Sequence, residues 1–181
     1  MEVEFKISKD ELVDFHMKHV GETTVYKYQM ISCNIYYILM LLGILFLLIH
    51  DLGYIITGII TWFILFIFRK KILKYKLRKK FLKIYSFDKY TSLFELTHLS
   101  ITEDGLKSRS NLFEKIYKWG SIKSVNLVDQ YILIRTINNE DLLISIFSFK
   151  PFENKEIFID RIIKNTELEL QNGYPKDIKY I

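Results

Sequence analysis

The side chains best suited to chemistry in this chain are three of its four histidines. His16 and His19, in FHMKH, stand three residues apart, and on one face of a helix such a pair can hold a metal ion. No third ligand is evident nearby, so surface histidines are the simpler interpretation and no metal site is predicted. His98, in a predicted strand near Glu103 and Asp104, could pair with a carboxylate as a general base. A surface histidine above an acidic turn is the simpler account of it.

No known catalytic motif accompanies these histidines. A Ser-His-Asp arrangement with a nucleophile elbow, an HExxH motif and a phosphate-binding glycine loop are absent from the sequence, which contains only seven glycines. The single cysteine, Cys33, excludes an internal disulfide framework and a multi-cysteine zinc site. We therefore expect a protein that is not an enzyme and that binds no cofactor.

The strongest charge signal is a run of nine Lys and Arg within residues 69–83, with no acidic residue among them. The run comprises Arg69, Lys70, Lys71, Lys74, Lys76, Arg78, Lys79, Lys80 and Lys83. It carries +9, so the rest of the chain sums to −4, whereas a nucleic-acid-binding domain would more often spread its basic residues over a folded face. Anionic lipid headgroups suit these cations, at roughly 1 kcal/mol each near the membrane surface. A signal for membrane topology alone is the simpler alternative.

The segment that positions this basic run is the most apolar part of the chain. Residues 28–50 contain no Asp, Glu, Lys or Arg, and residues 52–68 continue the pattern after Asp51. At about 1.5 Å rise per residue, helices of this length cover most of a hydrocarbon core about 30 Å thick. We predict a transmembrane helical hairpin over residues 28–68, with spans at about 31–50 and 52–68 and a turn at the polar HDLG.

Positive charge near the ends of the spans predicts their orientation. Lys and Arg favour the cytoplasmic side; nine follow the second span, Lys18 and Lys27 precede the first, and the turn has none. Both termini are therefore expected in the cytoplasm. A signal peptide is the poorer interpretation, because the first span begins near residue 31 and no small-residue cleavage site follows it.

Residues 1–27 are predicted to lie in the cytoplasm as a strand and a short helix. EVEFKIS alternates apolar and charged side chains, which is typical of a half-buried strand. The helix that follows has Ser8 as its cap and Glu11 three residues later, the spacing of a capping box. The strand needs a sheet, and only the region after residue 90 offers one, so we expect the two to pair or to lie together.

After a basic juxtamembrane helix at residues 69–87, residues 88–181 are predicted to form a small antiparallel β roll or barrel capped by a C-terminal helix, the plan of pleckstrin-homology-like (PH-like) domains. Six or seven short strands follow one another, with hairpin turns at EDG and NNED. After Pro151, Phe158 and Ile162 belong to an apolar stripe at helical spacing. The fold class is thus an α+β membrane protein: a two-helix transmembrane hairpin joined to this β domain. The predicted β domain has 13 basic and 14 acidic residues, whose charges nearly cancel, so no basic groove for nucleic acid is expected.

The order of these elements, together with local motifs, resembles that of the YcxB-like membrane proteins of bacteria. The matching stretches are ITEDGLKSRS, YKWGSIKSV, DQYILIRT and FSFKPFENKEIFIDRII. The resemblance implies that Gly105 makes a hairpin turn, that Trp119 and Ile122 pack into the sheet, and that Phe149 opens the final helix. This chain departs from the pattern at ISIFSF, where an apolar residue followed by Pro-Lys is common before the Phe.

The function that the sequence favours is a membrane-anchored cytoplasmic binding module that recruits a protein of unspecified identity or senses anionic lipid. The sequence contains no alanine and is rich in Ile, Lys and Asn, which is typical of the coding bias of an AT-rich genome such as that of a low-GC bacterium. The two predicted spans and their flanking Lys and Arg then predict a location in the bacterial cytoplasmic (inner) membrane. The alternative is an immunity protein that protects against a bacteriocin or secreted toxin. Gly43, Gly53 and Gly58 form no small-xxx-small pair with one another, so the spacing of the glycines leaves homo-oligomerisation open.

Overall fold

The computed structural model describes residues 2–47, 52–138 and 140–177. The chain divides into two compact units. The β unit comprises Met1–His16 and Leu82–Pro175, and the helical unit comprises Met17–Phe81 and Lys176–Ile181. The larger part of the helical unit, Met17–Phe81, is therefore inserted in the sequence between the first and second strands of the β unit.

The described residues form four α-helices and eight β-strands, with four short 3-10 helices between them. The α-helices are α1 (Lys9–His19), α2 (Thr24–Leu47), α3 (Leu52–Ile84) and α4 (Asn154–Thr166). The strands are β1 (Glu2–Phe5), β2 (Thr97–Ile101), β3 (Gly105–Arg109), β4 (Glu114–Lys118), β5 (Ile122–Val128), β6 (Tyr131–Thr136), β7 (Asp141–Ser145) and β8 (Leu170–Asn172). The 3-10 helices are Val20–Glu22, Asp88–Phe94, Trp119–Ser121 and Ile146–Ser148.

The N-terminal strand pairs with the C-terminal part of the chain, as the sequence predicts. β1 runs antiparallel to β2, and its Val3 and Phe5 point into the core. The capping box of α1 is also present: Glu11 N donates to Ser8 Oγ at 3.1 Å, and Ser8 N donates to Glu11 Oε2 at 3.4 Å. Two orphan N–H groups at the start of the helix are thereby satisfied.

Two four-stranded sheets build the β unit, with strand orders β1-β2-β3-β4 and β7-β6-β5-β8. Every pairing is antiparallel except that of β5 with β8, which is parallel. The core draws Leu99 and Leu106 from the first sheet and Ile132 and Ile144 from the second. Helix α4 adds Phe158 and its neighbours to the same core, so an antiparallel β fold closed by the C-terminal helix is confirmed.

The second face of the β7-β6-β5-β8 sheet is covered by α1, an arrangement that the sequence did not predict. Ile132 of β6 faces the core, so the alternate residue Tyr131 faces the opposite side of the sheet. There Tyr131 Oη donates to Glu11 Oε1 at 2.7 Å, and its ring lies 5.3 Å from the ring of Phe15. This sheet is therefore packed on both faces.

Helices α2 and α3 of the helical unit run antiparallel to each other. Near the middle of the pair, Trp62 Nε1 donates to the carbonyl oxygen of Tyr37 at 2.7 Å. Farther along, Tyr26 of α2 and Leu77 of α3 share a small apolar cluster with Val20. Residues near the end of α3 therefore contact residues near the start of α2, as they must in an antiparallel pair.

The predicted helix boundaries differ from the observed ones at several ends. α2 begins at Thr24, earlier than the predicted span at residue 31, and residues 48–50 of that span lie outside the described residues. The first two residues of the HDLG turn also lie outside them, while Leu52 already belongs to α3. α3 continues through the basic run without interruption and ends at Ile84, short of residue 87.

Candidate membrane and headgroup-binding site

One segment among the described residues, Thr24–Phe46 of α2, is long and apolar enough to cross a membrane, judged by length and composition. Only 6% of its most apolar window is buried inside the structure, whereas the core helix of a soluble protein is mostly buried. Large apolar side chains at helical spacing are exposed along it, namely Ile31, Ile35, Leu39, Leu42 and Phe46. An apolar surface of this extent marks contact with a membrane or another protein.

The first half of α3 presents a second stripe of the same kind. Its exposed apolar residues recur at i, i+4, i+8 and i+11, which places them on one helical face. They are Ile56, Ile60, Ile64 and Ile67, with Phe63 beside them. The stripe stops where the basic run begins, so α3 changes from apolar to basic within one continuous helix.

Arg69 marks that change and connects the two helices. Its Nε donates to Asn34 Oδ1 of α2 at 3.0 Å, and its Nη1 donates to the carbonyl oxygen of Phe66 at 2.7 Å. The guanidinium also lies 3.6 Å from the centre of the Phe66 ring, a cation–π geometry. The first cation of the basic run is therefore fixed in place at the end of the apolar stripe.

The structure brings the rest of the predicted headgroup-binding set onto the second half of α3. Seven of its lysines are exposed: Lys70, Lys71, Lys74, Lys76, Lys79, Lys80 and Lys83. Arg78 is half-buried, and Leu77 and Phe81 are buried, so this half of the helix is amphipathic. Exposed ammonium groups are the cations that the sequence predicts to face anionic headgroups.

The two histidines of α1 are buried, and their interpretation as surface residues was wrong. His16 is 1% exposed; its Nδ1 lies 2.7 Å from Tyr174 Oη and its Nε2 lies 3.1 Å from Tyr85 Oη. The buried His19 places its Nδ1 3.0 Å from Glu22 Oε1. In the part of the chain that the structure describes, no group of three or more His, Cys, Asp or Glu could hold a metal ion.

His98 finds its carboxylate on a different element from the one predicted. Its Nδ1 lies 3.7 Å from Glu4 Oε2, the residue directly opposite on β1, rather than beside Glu103 or Asp104 in the adjoining turn. The sequence could have indicated this partner, because it predicted that the N-terminal strand joins the sheet. Both side chains are exposed, at 40% and 56%, and the contact is a surface pair.

Gly105 closes the β2–β3 hairpin and also allows two strands to approach closely. Its carbonyl oxygen accepts a hydrogen bond from Thr102 N at 2.9 Å. A Cβ atom at this position would lie 2.1 Å from the carbonyl oxygen of Tyr117 on β4. A side chain here would therefore push β4 away from β3.

Trp119 and Ile122 pack against the core of the β unit, as expected. Trp119 is half-buried in the 3-10 helix that connects β4 to β5, and its Nε1 donates to the carbonyl oxygen of Glu103 at 2.9 Å. The irregularity in the pairing of β5 with β6 falls between Ile122 and Ser124.

Phe149 is a core residue and does not open the final helix, so that expectation was wrong. It is 4% exposed and its ring lies 5.2 Å from the ring of Phe158. Helix α4 begins only at Asn154, after the Lys150–Pro151 peptide. The ring contact holds the segment that leads into α4 against the helix.

A buried ion pair is the feature of the β unit that sequence reasoning missed. Arg135, only 2% exposed, lies opposite Asp141 in the β6–β7 pairing, with Nε 3.3 Å from Oδ1. Asp141 also lines a cavity of about 20 Å³ with apolar neighbours that include Phe5 and Leu12. A cavity of this size holds a water molecule and is too small for an organic ligand.

Comparison of the chain with protein families, with curated proteins and with solved structures found no match.

Proposed function

We propose that this protein is a non-enzymatic binding module anchored in the bacterial cytoplasmic membrane, whose β unit recruits a protein partner in the cytoplasm. The observation that carries the proposal is the exposed apolar surface of the α2–α3 pair. Water would make such a surface costly, at about 25 cal/mol per Å² of exposed apolar area. A bilayer removes that cost.

The length of the apolar pair fits a bilayer. Asn34 and Arg69 lie side by side, and the apolar part of α3 spans the 17 residues 52–68. At about 1.5 Å per residue this is about 25 Å, close to the hydrocarbon thickness of about 30 Å. We therefore propose that α2 crosses the membrane and that the first half of α3 returns through it.

The pairing of β1 with β2 supports two crossings rather than one. The two strands lie on either side of the helical unit in sequence but next to each other in one sheet. Strands of one sheet must be on the same side of a membrane, because hydrogen-bonded strands are only about 4.8 Å apart. A chain that leaves the β unit through α2 must therefore return to the same side of the membrane, and only an even number of crossings does this.

The basic half of α3 gives the proposed orientation and a role in lipid binding. Nine Lys and Arg follow the apolar half, and the positive-inside rule therefore supports a cytoplasmic location for this end. The exposed lysines would meet anionic headgroups there, with Lys70, Lys71 and Lys74 nearest to the membrane. The amphipathic helix would then fix the β unit close to the membrane surface.

The recruiting role belongs to the β unit by its surface character. Acidic and basic residues from residue 88 onward nearly cancel, which favours a protein partner over nucleic acid. The order of elements agrees with the YcxB-like plan, and we propose kinship with that group on the stretches quoted above.

Chemical crosslinking in native membranes, followed by recovery of the tagged full-length protein, tests the recruiting role. A protein recovered with the full chain but not with a version that ends at residue 85 is the expected result. A secreted toxin or peptide recovered equally with both versions would contradict recruitment and favour the immunity function. Recovery of no partner with either version would also contradict recruitment.

A further inference from the structure

We propose that the free edge of β4 binds β4 of a second copy of the chain, so that the first sheets of two molecules form one continuous sheet about a two-fold axis at Ile116. The proposal adds self-association through the β unit to the proposed function. It is carried by the register of β4, by the side chains on its outer face and by their charges.

The β3–β4 register fixes which backbone groups of β4 point outward. A backbone hydrogen bond lies just beyond each end of the β3–β4 pairing. Ser110 N donates to Phe113 O at 2.9 Å, and Trp119 N donates to Asp104 O at 3.3 Å. Hydrogen-bonded pairs alternate along an antiparallel ladder, so Lys115 and Tyr117 bond to β3. Glu114, Ile116 and Lys118 therefore direct their N–H and C=O groups away from β3, towards the edge.

No described strand pairs with this edge, because β4 is the last strand of its sheet. The carbonyl oxygen of Lys118 accepts a hydrogen bond from Ser121 Oγ at 2.7 Å and keeps a second lone pair. An edge with outward N–H and C=O groups is a template for another strand. Antiparallel addition centred on Ile116 would supply partners for all three residues.

The side chains on the outer face of the first sheet single out Ile116. In the four described strands of this sheet, the other outward-facing residues are polar, charged or glycine: Glu2, Glu4, His98, Ser100, Gly105, Lys107, Arg109, Glu114 and Lys118. Ile116 is 46% exposed at the centre of the edge strand. Its symmetric partner in the proposed pairing is the second copy's Ile116, so two exposed apolar side chains would cover each other.

The charges along β4 are complementary to themselves. In the symmetric register Glu114 lies opposite the second copy's Lys118, and Lys118 lies opposite the second copy's Glu114, which gives two favourable cross-strand pairs. A salt bridge of 2.8 Å from Lys107 Nζ already holds Glu114 near this edge. The opposite edge strand, β1, would place Glu2 against Glu4 in the same kind of pairing, which like charges disfavour.

The pairing is expected to be weak in dilute solution and stronger in the membrane. Five residues on each side bury far less than the roughly 1,600 Å² of a standard stable interface. Confinement to a bilayer raises the effective concentration of the two edges. The expected difference between dilute solution and membrane rests on the proposed membrane anchor. Extraction of the protein from membranes by alkaline carbonate is therefore measured separately, as a test of the anchor alone.

Disulfide crosslinking in native membranes tests the proposal directly. Directly opposite residues of a hydrogen-bonded antiparallel pair have Cα atoms about 5.5 Å apart, within the disulfide range. Ile116→Cys is made in the full chain with Cys33→Ser, and Ile137→Cys, 61% exposed, is the matched control. We expect at least roughly tenfold more dimer from position 116 on mild oxidation, because pairing raises the effective thiol concentration. Equal crosslinking from both positions would overturn the proposal.

Charge exchange distinguishes symmetric pairing from other contacts of the same edge. In the Ile116→Cys chain, Glu114→Lys alone or Lys118→Glu alone opposes like charges twice and should reduce crosslinking to the level of the control. The double variant restores opposite charges and should restore crosslinking. Failure of the double variant to recover, with its membrane extraction unchanged, would overturn the two-fold arrangement. A β4 edge that binds a different strand would give that result.

Discussion

Gly105 is a residue whose substitution has a calculable geometric effect. A Cβ at this position would lie 2.1 Å from the carbonyl oxygen of Tyr117, whereas a Cβ at Gly120 meets nothing within 4 Å. We expect Gly105→Ala to lower the free energy of unfolding by about 1–3 kcal/mol, the typical cost of overpacking a well-packed site. Gly120→Ala, the matched control, should change it by less than about 0.5 kcal/mol. Urea unfolding in detergent, followed by near-ultraviolet circular dichroism, measures both; equal stabilities would contradict the close strand approach.

Tyr131 should make the stability of the β unit sensitive to alkaline pH. Burial raises the pKa of Tyr131 above its ordinary value of 10.0, and its hydrogen bond to Glu11 raises the pKa further. The folded state therefore binds the phenol proton more tightly than the unfolded state does. The stabilisation is present below pH 10.0 and is lost as the pH rises above it.

Tyr131→Phe should therefore reduce the slope with which the free energy of unfolding falls above pH 10.0. Part of the slope remains in the variant, because burial also raises the pKa of Tyr117 beside Glu140. Unfolding curves of the two proteins between neutral and alkaline pH give the slopes. Identical slopes would show that Tyr131 is not protonated preferentially in the folded state.

Individual site residues were predictable from sequence where their property is local. The charge of Arg69 and its neighbours is visible in the chain itself, and the structure adds the contacts of Arg69 with Asn34 and Phe66. The burial of His16 was not predictable, because its partners Tyr85 and Tyr174 lie 69 and 158 residues away. The spacing of His16 and His19 along a helix does not indicate contacts with residues so distant in the sequence.

At the scale of elements, α3 joins the proposed anchor to the proposed orientation signal in one helix. Changing Arg69, Lys70 and Lys71 together to Gln should increase the fraction of molecules with inverted orientation, because positive charges next to a span set its direction. The same loss of charge at Lys115, Lys118 and Lys123, which are far from the span in sequence, should leave orientation unchanged.

The readout is the reaction of Leu112→Cys, 70% exposed in the β3–β4 turn, with a membrane-impermeant thiol reagent in a Cys33→Ser chain. Inverted molecules react from outside the cell, and correctly oriented ones do not. An unchanged orientation after neutralisation of residues 69–71 would contradict the role of these cations.

Elements with a strong local pattern were predicted, and those set by tertiary packing were not. The alternation of EVEF and the Ser8–Glu11 capping box gave β1 and the start of α1, and the turn signals gave the hairpins. The docking of α1 on the second sheet depends on contacts such as that of Phe15 with Tyr131, which leave no periodic signal. β8 is only three residues long and follows the left-handed Glu167, too short for a pattern.

At the scale of the whole molecule, the chain is a β fold with a helical insertion. The segment Met17–Phe81 interrupts the β unit between β1 and β2 in the sequence. The sequence order of a strand, two apolar helices and a β domain therefore reflects one folded β unit. The sequence predicted this organisation because the N-terminal strand had nowhere else to pair. It follows that both ends of the insertion must be on one side of any membrane that the helices cross.

Labelling of single cysteines in intact protoplasts tests this central claim most directly. Three variants are made with Cys33→Ser: Lys6→Cys after β1, Leu112→Cys in the β unit, and Asp51→Cys in the predicted turn between the helices. The account predicts that an impermeant thiol reagent labels only position 51 in intact protoplasts, and all three positions after permeabilisation. Labelling of position 6 or 112 from outside, or protection of position 51 until permeabilisation, would contradict an anchor that crosses the membrane twice with the β unit in the cytoplasm.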